Sequence, residues 1–283
     1  MLSYRHGFHA GNQADVLKHL TLSLVMKALC KKEKPFFFMD THGGAGRYDL
    51  LSEPSQKNHE FEGGIGRLWH KHGLPSAFDP YLQAVKTTNP GRTLRWYPGS
   101  PRIVRHFLRH DDRMFLAELH PKESQALARE FEGDRQVLVE AMDGYEALKA
   151  QLPPKERRGL VHIDPAYELK DERRRVLEAL CEATRRWATG IFAVWYPIQD
   201  GATRDQFLSR VEKLNIPRTL VVEWLFRPEE PFRLNGSGMI IINPPWQLDD
   251  ELESLLPVLI DLLGEGGKGS WRVEWLHGEL PTA

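Results

Sequence analysis

Leu160-Val161-His162-Ile163-Asp164-Pro165-Ala166-Tyr167 is an apolar run that ends in an acid, a proline and an aromatic. A short β-branched run followed by proline reads as a buried strand that must stop, because proline has no N–H for a ladder and pushes its neighbour out of helical geometry. Asp164 and Tyr167 are thereby left at a strand's carboxyl end, the rim where open parallel α/β sheets bind ligands. An acid and an aromatic there suit one chemistry: holding a flat, amino-bearing base whose weakly nucleophilic nitrogen is to attack an electrophile.

Upstream, Pro35 to Gly46 (PFFFMDTHGGAG) has the form of a first strand and its glycine-rich βα loop. The spacing is not the GxGxxG of a dinucleotide fold, and Asp40 precedes the turn, so a nicotinamide-dependent dehydrogenase is the less favoured alternative. Gly99-Ser100-Pro101 reads as a helix start with Ser at the N-cap. Met114 to Leu119 forms a second strand with Glu118 at its rim, where a carboxylate can accept both hydrogen bonds of a ribose diol. Val137 to Glu140 is a third strand; Asp143 after it can bind an adenine amino group, cap the next helix, or both. The opening stretch is the fourth strand, followed by a helix carrying Arg173, Arg174, Arg175, Arg185 and Arg186, read as a solvated face with a lesser chance of phosphate contact. Ile191 to Tyr196, Thr219 to Leu225 and Gly238 to Ile242 complete seven strands, and the last two, joined without a helix, read as an antiparallel pair. The fold class is α/β: a mainly parallel seven-stranded sheet with one reversed strand, closed by a helix over Leu248 to Leu263 and a possible short strand at Trp271 to Leu276. Asn243-Pro244-Pro245-Trp246 competes with Asp164 to Tyr167 as a base-holding motif, but sheet order places only the latter beside the first strand.

Residues 51–91 break the alternation with several prolines and glycines and are expected as an inserted helical subdomain, the main domain being 1–50 and 92–283. Before the first strand, Tyr4 to Asn12 (YRHGFHAGN) leads into a helix whose apolar face is Val16, Leu17, Leu20, Leu24, Ala28 and Leu29. By themselves Lys18 and His19 read there as a solvated helix face. His6 and His9 have no evident third ligand, so no metal is expected. Cys30 and Cys181 read as two buried free thiols. The formal net charge of -1 does not announce a polyanion binder, which leaves that work to local patches. No apolar run is long enough to span a bilayer, and a cytoplasmic monomer is expected.

At this point the chain closely resembles a known family. The stretches Tyr4 to His19 (YRHGFHAGNQADVLKH), Asp40 to Leu50 (DTHGGAGRYDL), Pro98 to Pro101 (PGSP), Asp164 to Glu168 (DPAYE) and Gly236 to Trp246 (GSGMIIINPPW) are similar to those of RlmJ, bacterial S-adenosylmethionine-dependent adenine-N6 methyltransferases of 23S ribosomal RNA. The resemblance runs essentially end to end. It implies a class I, Rossmann-like methyltransferase fold, a leader that closes over S-adenosylmethionine, a small helical insert and a ribosomal RNA substrate. By position it would set the cofactor against Lys18, His19, His42, Ser100, Glu118, Asp143, Gly144 and Asp164, with Tyr4, His6 and Tyr167 lining the adenine pocket. The family's DPPY is DPAY here, and Ala166 removes one ring constraint, so a looser loop and slower turnover are expected. A DNA adenine methyltransferase and a non-catalytic RNA-binding protein keeping the fold are the alternatives; intact Asp164 and Tyr167 weigh against the second.

Overall fold

The computed structural model describes residues 6–231 and 233–278. The ten strands are β1 (Phe37–Asp40), β2 (Arg47–Asp49), β3 (Trp96–Pro98), β4 (Arg113–Ala117), β5 (Val137–Glu140), β6 (Gly159–Ile163), β7 (Ile191–Ile198), β8 (Thr219–Leu225), β9 (Gly236–Ile242) and β10 (Ser270–His277). The α-helices are α1 (Gln13–Cys30), α2 (Glu53–Asn58), α3 (Glu60–Gly63), α4 (Ile65–Trp69), α5 (Asp79–Thr88), α6 (Ser100–Arg105), α7 (Pro121–Glu130), α8 (Gly144–Gln151), α9 (Glu172–Arg186), α10 (Gly201–Glu212) and α11 (Leu248–Leu263).

Eight strands form one sheet in the order β10-β8-β9-β7-β6-β1-β4-β5. Because side chains alternate across a strand, Phe36 and Phe38 enter one core while Phe37 and Met39 enter the other. On the first side pack α1, α6 and α11, with α5 outside α1; against the second face pack α8, α9 and α10. The result is a three-layer sandwich with both sheet faces covered, which is why the central strands are apolar on both sides. Strand β1 lies between β4 and β6 and is parallel to both. The chain goes one way from β1 to β4 and β5 and returns to β6, so the reversal of strand order falls at β1 and β6.

Two strands run against the rest, where one was expected. β9 is antiparallel to β7 and β8, and the final stretch joins as an eighth strand, β10, antiparallel to β8. The register Phe192↔Ile242 sets the end of β9 beside the start of β7. Asn243 to Trp246 therefore leaves the sheet at the opposite rim from Asp164. There Asn243 donates to the carbonyls of Ala188 and Gly190, and Trp246 is 85% exposed. Strand direction thus separates the two competing motifs.

Several local expectations are corrected. α1 is buried almost all round, Lys18 (4% exposed) and His19 (1%) included, because it lies between the sheet and α5, α6 and α11. Cys181 is exposed and Cys30 half-buried; both are free thiols. Gly99, not Ser100, caps α6. The antiparallel pair of β2 and β3 had no counterpart in the sequence reading. It brackets 50–95, which hold α2 to α5; within this stretch α5 packs on α1 and β3, and Ile65 N–H donates to the Gly11 carbonyl.

Candidate active site

Beyond the carboxyl ends of β1, β4, β5, β6 and β7 lies a cavity of about 940 Å³. All eight residues placed against the cofactor line it: Lys18, His19, His42, Ser100, Glu118, Asp143, Gly144 and Asp164. His6 and Tyr167 line it too, while Tyr4 lies outside the described residues. They come together because each follows a strand end or belongs to α1, apart from His6, which precedes α1 and is tied to it through Asp15.

The centre is Asp164. Its Oδ2 accepts from Lys18 Nζ at 2.6 Å, and Lys18 also meets Asp15 Oδ1 at 2.9 Å. Burial pushes the Asp164 carboxyl up, but the Lys18 ammonium and the neighbouring His162 oppose it and hold it below the ordinary carboxylate range. His162 is fully buried, and its Nδ1 lies 3.2 Å from the Ala193 carbonyl. A carbonyl only accepts, so Nδ1 carries a proton, while Nε2 stands 3.9 Å from Asp164 Oδ2 without a hydrogen-bond partner among the described residues. Asp15 holds the leader in place: Oδ2 is 2.9 Å from His6 Nε2 and accepts from Gly11 N–H at 2.8 Å. Its carboxyl is held well below the usual range, burial notwithstanding, by His6 and Lys18.

Tyr167 takes a left-handed backbone, φ +54°, which turns its ring from the strand into the cavity. Its hydroxyl donates to the Trp195 carbonyl at 2.7 Å, and the two rings meet edge to face at 5.9 Å. The ring is therefore fixed at its far end.

At the other end, Ser100 Oγ donates to Asp40 Oδ2 at 2.6 Å and His42 N–H donates to Oδ1, so buried Asp40 orients both residues. Burial raises the Asp40 carboxyl. It lowers the imidazoles of His42 to about 4 and His19 to about 3, leaving both neutral at physiological pH. His19 Nδ1 lies 2.7 Å from Tyr97 Oη, which is 3.1 Å from Tyr81 Oη. Glu118 receives N–H groups from Gly44 and His120, and its remaining lone pairs suit a vicinal diol. Asp143 accepts from Tyr145 N–H and Arg175, and is held low by them against burial. Asp143 caps α8, as one of its two readings has it, and it also lines the cavity. Gly144 opens α8, so its N–H is among those no helical carbonyl satisfies. A Cβ there would lie 2.1 Å from the Thr41 carbonyl oxygen, which reserves the position for glycine.

Asp15, Asp40, His162, Tyr97 and Trp195 were not singled out as site residues from the sequence. Asp40 carried a signal, an acid closing an apolar run just as Asp164 does. Tyr97 and Trp195 carried none, because their partners lie far away in the chain; Asp15 and His162 have near neighbours in Lys18 and Asp164, but nothing in the sequence marks either as buried.

The strand order, with β9 inserted antiparallel between β7 and β8, and the cavity over the β1–β6 reversal define a class I, Rossmann-like methyltransferase. A family model described as Ribosomal RNA large subunit methyltransferase D, RlmJ, matches residues 33–277. The chain belongs to this family. It is 46% identical to Ribosomal RNA large subunit methyltransferase J of Haemophilus influenzae over 281 residues, covering 99% of this chain and 100% of that one. The protein of the same name from Escherichia coli K12 is 44% identical over 280 residues, with the same coverage. A crystal structure of a Legionella pneumophila protein superposes with a TM-score of 0.88 at 37% identity, over 94% of this chain and 98% of that chain.

Proposed function

We propose that this chain methylates the exocyclic N6 of an adenine in large-subunit, 23S ribosomal RNA, with S-adenosylmethionine as donor. Methylation of ribosomal RNA is supported by membership of the family. The position and the base rest on one observation: the Asp164 carboxylate faces the cavity beside the fixed Tyr167 ring, with one oxygen tied to Lys18.

The cavity suits the cofactor chemically. Acidic side chains outnumber Lys and Arg along its lining, as a sulfonium cation favours, and the neutral His19 and His42 add no opposing charge. Glu118 would hold the ribose diol, and Asp143 with the Gly144 N–H would hold the adenine edge. Ser100, His42, His19 and Lys18 would border the amino-acid end. The cofactor supplies an electrophilic methyl group.

The chain's own residues do the rest. An adenine N6 lone pair is delocalised into the ring and attacks poorly. A hydrogen bond from N6–H to Asp164 favours the tetrahedral nitrogen that forms as the new N–C bond is made. The proton leaving that nitrogen passes to Asp164. Lys18 keeps Asp164 ionised beforehand and fixes one oxygen, leaving the other for the base. Tyr167 offers its face to the extracted adenine and offsets part of the unstacking cost of about a few kcal/mol.

The test is transfer of labelled methyl from S-adenosylmethionine to protein-free ribosomal RNA lacking natural modifications, for wild type and Asp164→Ala. N6-methyladenosine formed by wild type alone is the expected result. Product at another atom, or equal product from both proteins, refutes the reading.

A further inference from the structure

The Lys and Arg side chains lining the cavity are Lys18, Arg173, Arg175, Arg227 and Arg233. Four of them are neutralised. Lys18 sits between Asp15 and Asp164, Arg175 pairs with Asp143, Arg227 with Glu265, and Arg233 with Glu230. Arg173 makes no ion pair or hydrogen bond among the described residues. Its guanidinium stands 5.4 Å from the centroid of the Tyr167 ring, at the start of α9, immediately beyond the Asp164 to Tyr167 loop. The helix dipole is positive at that end and gives it no compensation. Asp200 is near enough to feel its charge, but that carboxylate caps α10 by accepting from Thr203 N–H at 2.7 Å. The other arginines of this helix are committed: Arg174 to Asp171 and Glu178, Arg185 and Arg186 to Glu182.

We infer that Arg173 binds a backbone phosphate of the RNA, at or next to the nucleotide whose base stacks on Tyr167. This rests on the RNA reading above and adds the ligand of one cation that the methyl-transfer chemistry does not use. A phosphate supplies the missing countercharge, and a planar guanidinium presents paired donors to it. The position also fits a chain whose net charge is -1: no global field draws RNA in, so an unpaired cation beside the base pocket sets the strand's register there.

The test uses the full chain as wild type, Arg173→Gln and Arg173→Lys, with an unmodified large-subunit ribosomal RNA transcript. RNA affinity is read by fluorescence anisotropy across salt, S-adenosylmethionine affinity by calorimetry, and methyl transfer as kcat and KM for RNA. Arg173→Gln is expected to weaken RNA binding about tenfold, as for loss of a charge-assisted hydrogen bond. It also reduces the slope of log affinity against log salt by about 0.7, one single-strand phosphate. Cofactor affinity stays unchanged, and Arg173→Lys restores the slope and part of the affinity. The inference is overturned by wild-type affinity and slope in Arg173→Gln, by a loss confined to cofactor binding, or by equal losses in both variants at an unchanged slope. Wild type that binds this RNA without methylating it refutes the proposed function alone, since the Arg173 comparison is still read from binding.

Discussion

Replacing Lys18 with Met removes the cation between two buried carboxylates while keeping a side chain of similar length. Breaking a buried pair by deleting one partner costs about 3–5 kcal/mol, because the remaining charge is left uncompensated. The lower end applies here. Asp15 retains His6 and the Gly11 N–H, and the Asp164 side chain keeps 14% exposure through which water can reach it. A loss of about 3 kcal/mol, at about 2–4 °C per kcal/mol, lowers Tm by about 6–12 °C near neutral pH. The pH dependence identifies the cause. Asp15 and Asp164 have folded pKa values below their unfolded ones, so in wild type they contribute stability above about pH 4 that is lost as pH falls through the folded values. In Lys18→Met burial of Asp164 is less opposed and its carboxyl moves up. The gap between the two proteins is therefore widest at neutral pH and closes as both carboxyls take protons. Melting of the two proteins by circular dichroism, stepped from neutral pH into acid, reads this directly. A Tm gap that stays constant across the series would refute the electrostatic account, and a gap of about 1 °C or less would refute the magnitude.

Four further outcomes are expected. Tyr167→Phe loses the bond to the Trp195 carbonyl and about 1 kcal/mol of stability in chemical denaturation, but keeps its KM for RNA; Tyr167→Ala raises that KM about tenfold through lost stacking. Gly144→Ala forces a methyl group onto the Thr41 carbonyl and weakens S-adenosylmethionine binding about tenfold or more by calorimetry, as overpacking of this size costs about 1–3 kcal/mol. His19 and His42 stay neutral in the folded protein down to about 3 and 4, whereas unfolded imidazoles take protons at about 6.5; Tm therefore falls as pH drops below that value, and less steeply in His19→Gln. Ala166→Pro removes no backbone hydrogen bond, so it stabilises by about 0.4–1 kcal/mol and raises kcat; unchanged kinetics and stability would show that Ala166 does not loosen the loop.

The strand-end residues were legible because each closes an apolar run: Glu118 after Met114 to Ala117, Asp143 near Val137 to Glu140, Asp164 after Leu160 to Ile163. Periodicity locates such positions without knowledge of what packs on them. Burial of Lys18 and His19 was not legible. It depends on α1 being covered by β9 and α11, whose sequences say nothing of residue 18. The links from Lys18 to Asp164, from Asp40 to Ser100 and from Tyr167 to Trp195 likewise join side chains whose meeting is decided by topology. Polar residues on a helix are read as solvated by default; α1 violates that default because Asp15, Lys18 and His19 find buried partners.

The burial of α1 also bears on how the chain is made. Ser237 reaches the Ala14 carbonyl across 223 residues of sequence, and Lys27 reaches Glu251 across 224. At about 5–20 residues per second, a nascent α1 waits on the order of ten seconds or more for the strand and helix that cover it. Throughout that interval the growing chain displays the apolar side of α1 that β9 and α11 later cover, a natural ligand for chaperones at the ribosome exit. A ribosome stalled before residue 236 would hold a chain with most of its parallel sheet synthesised and one side of its first helix still uncovered.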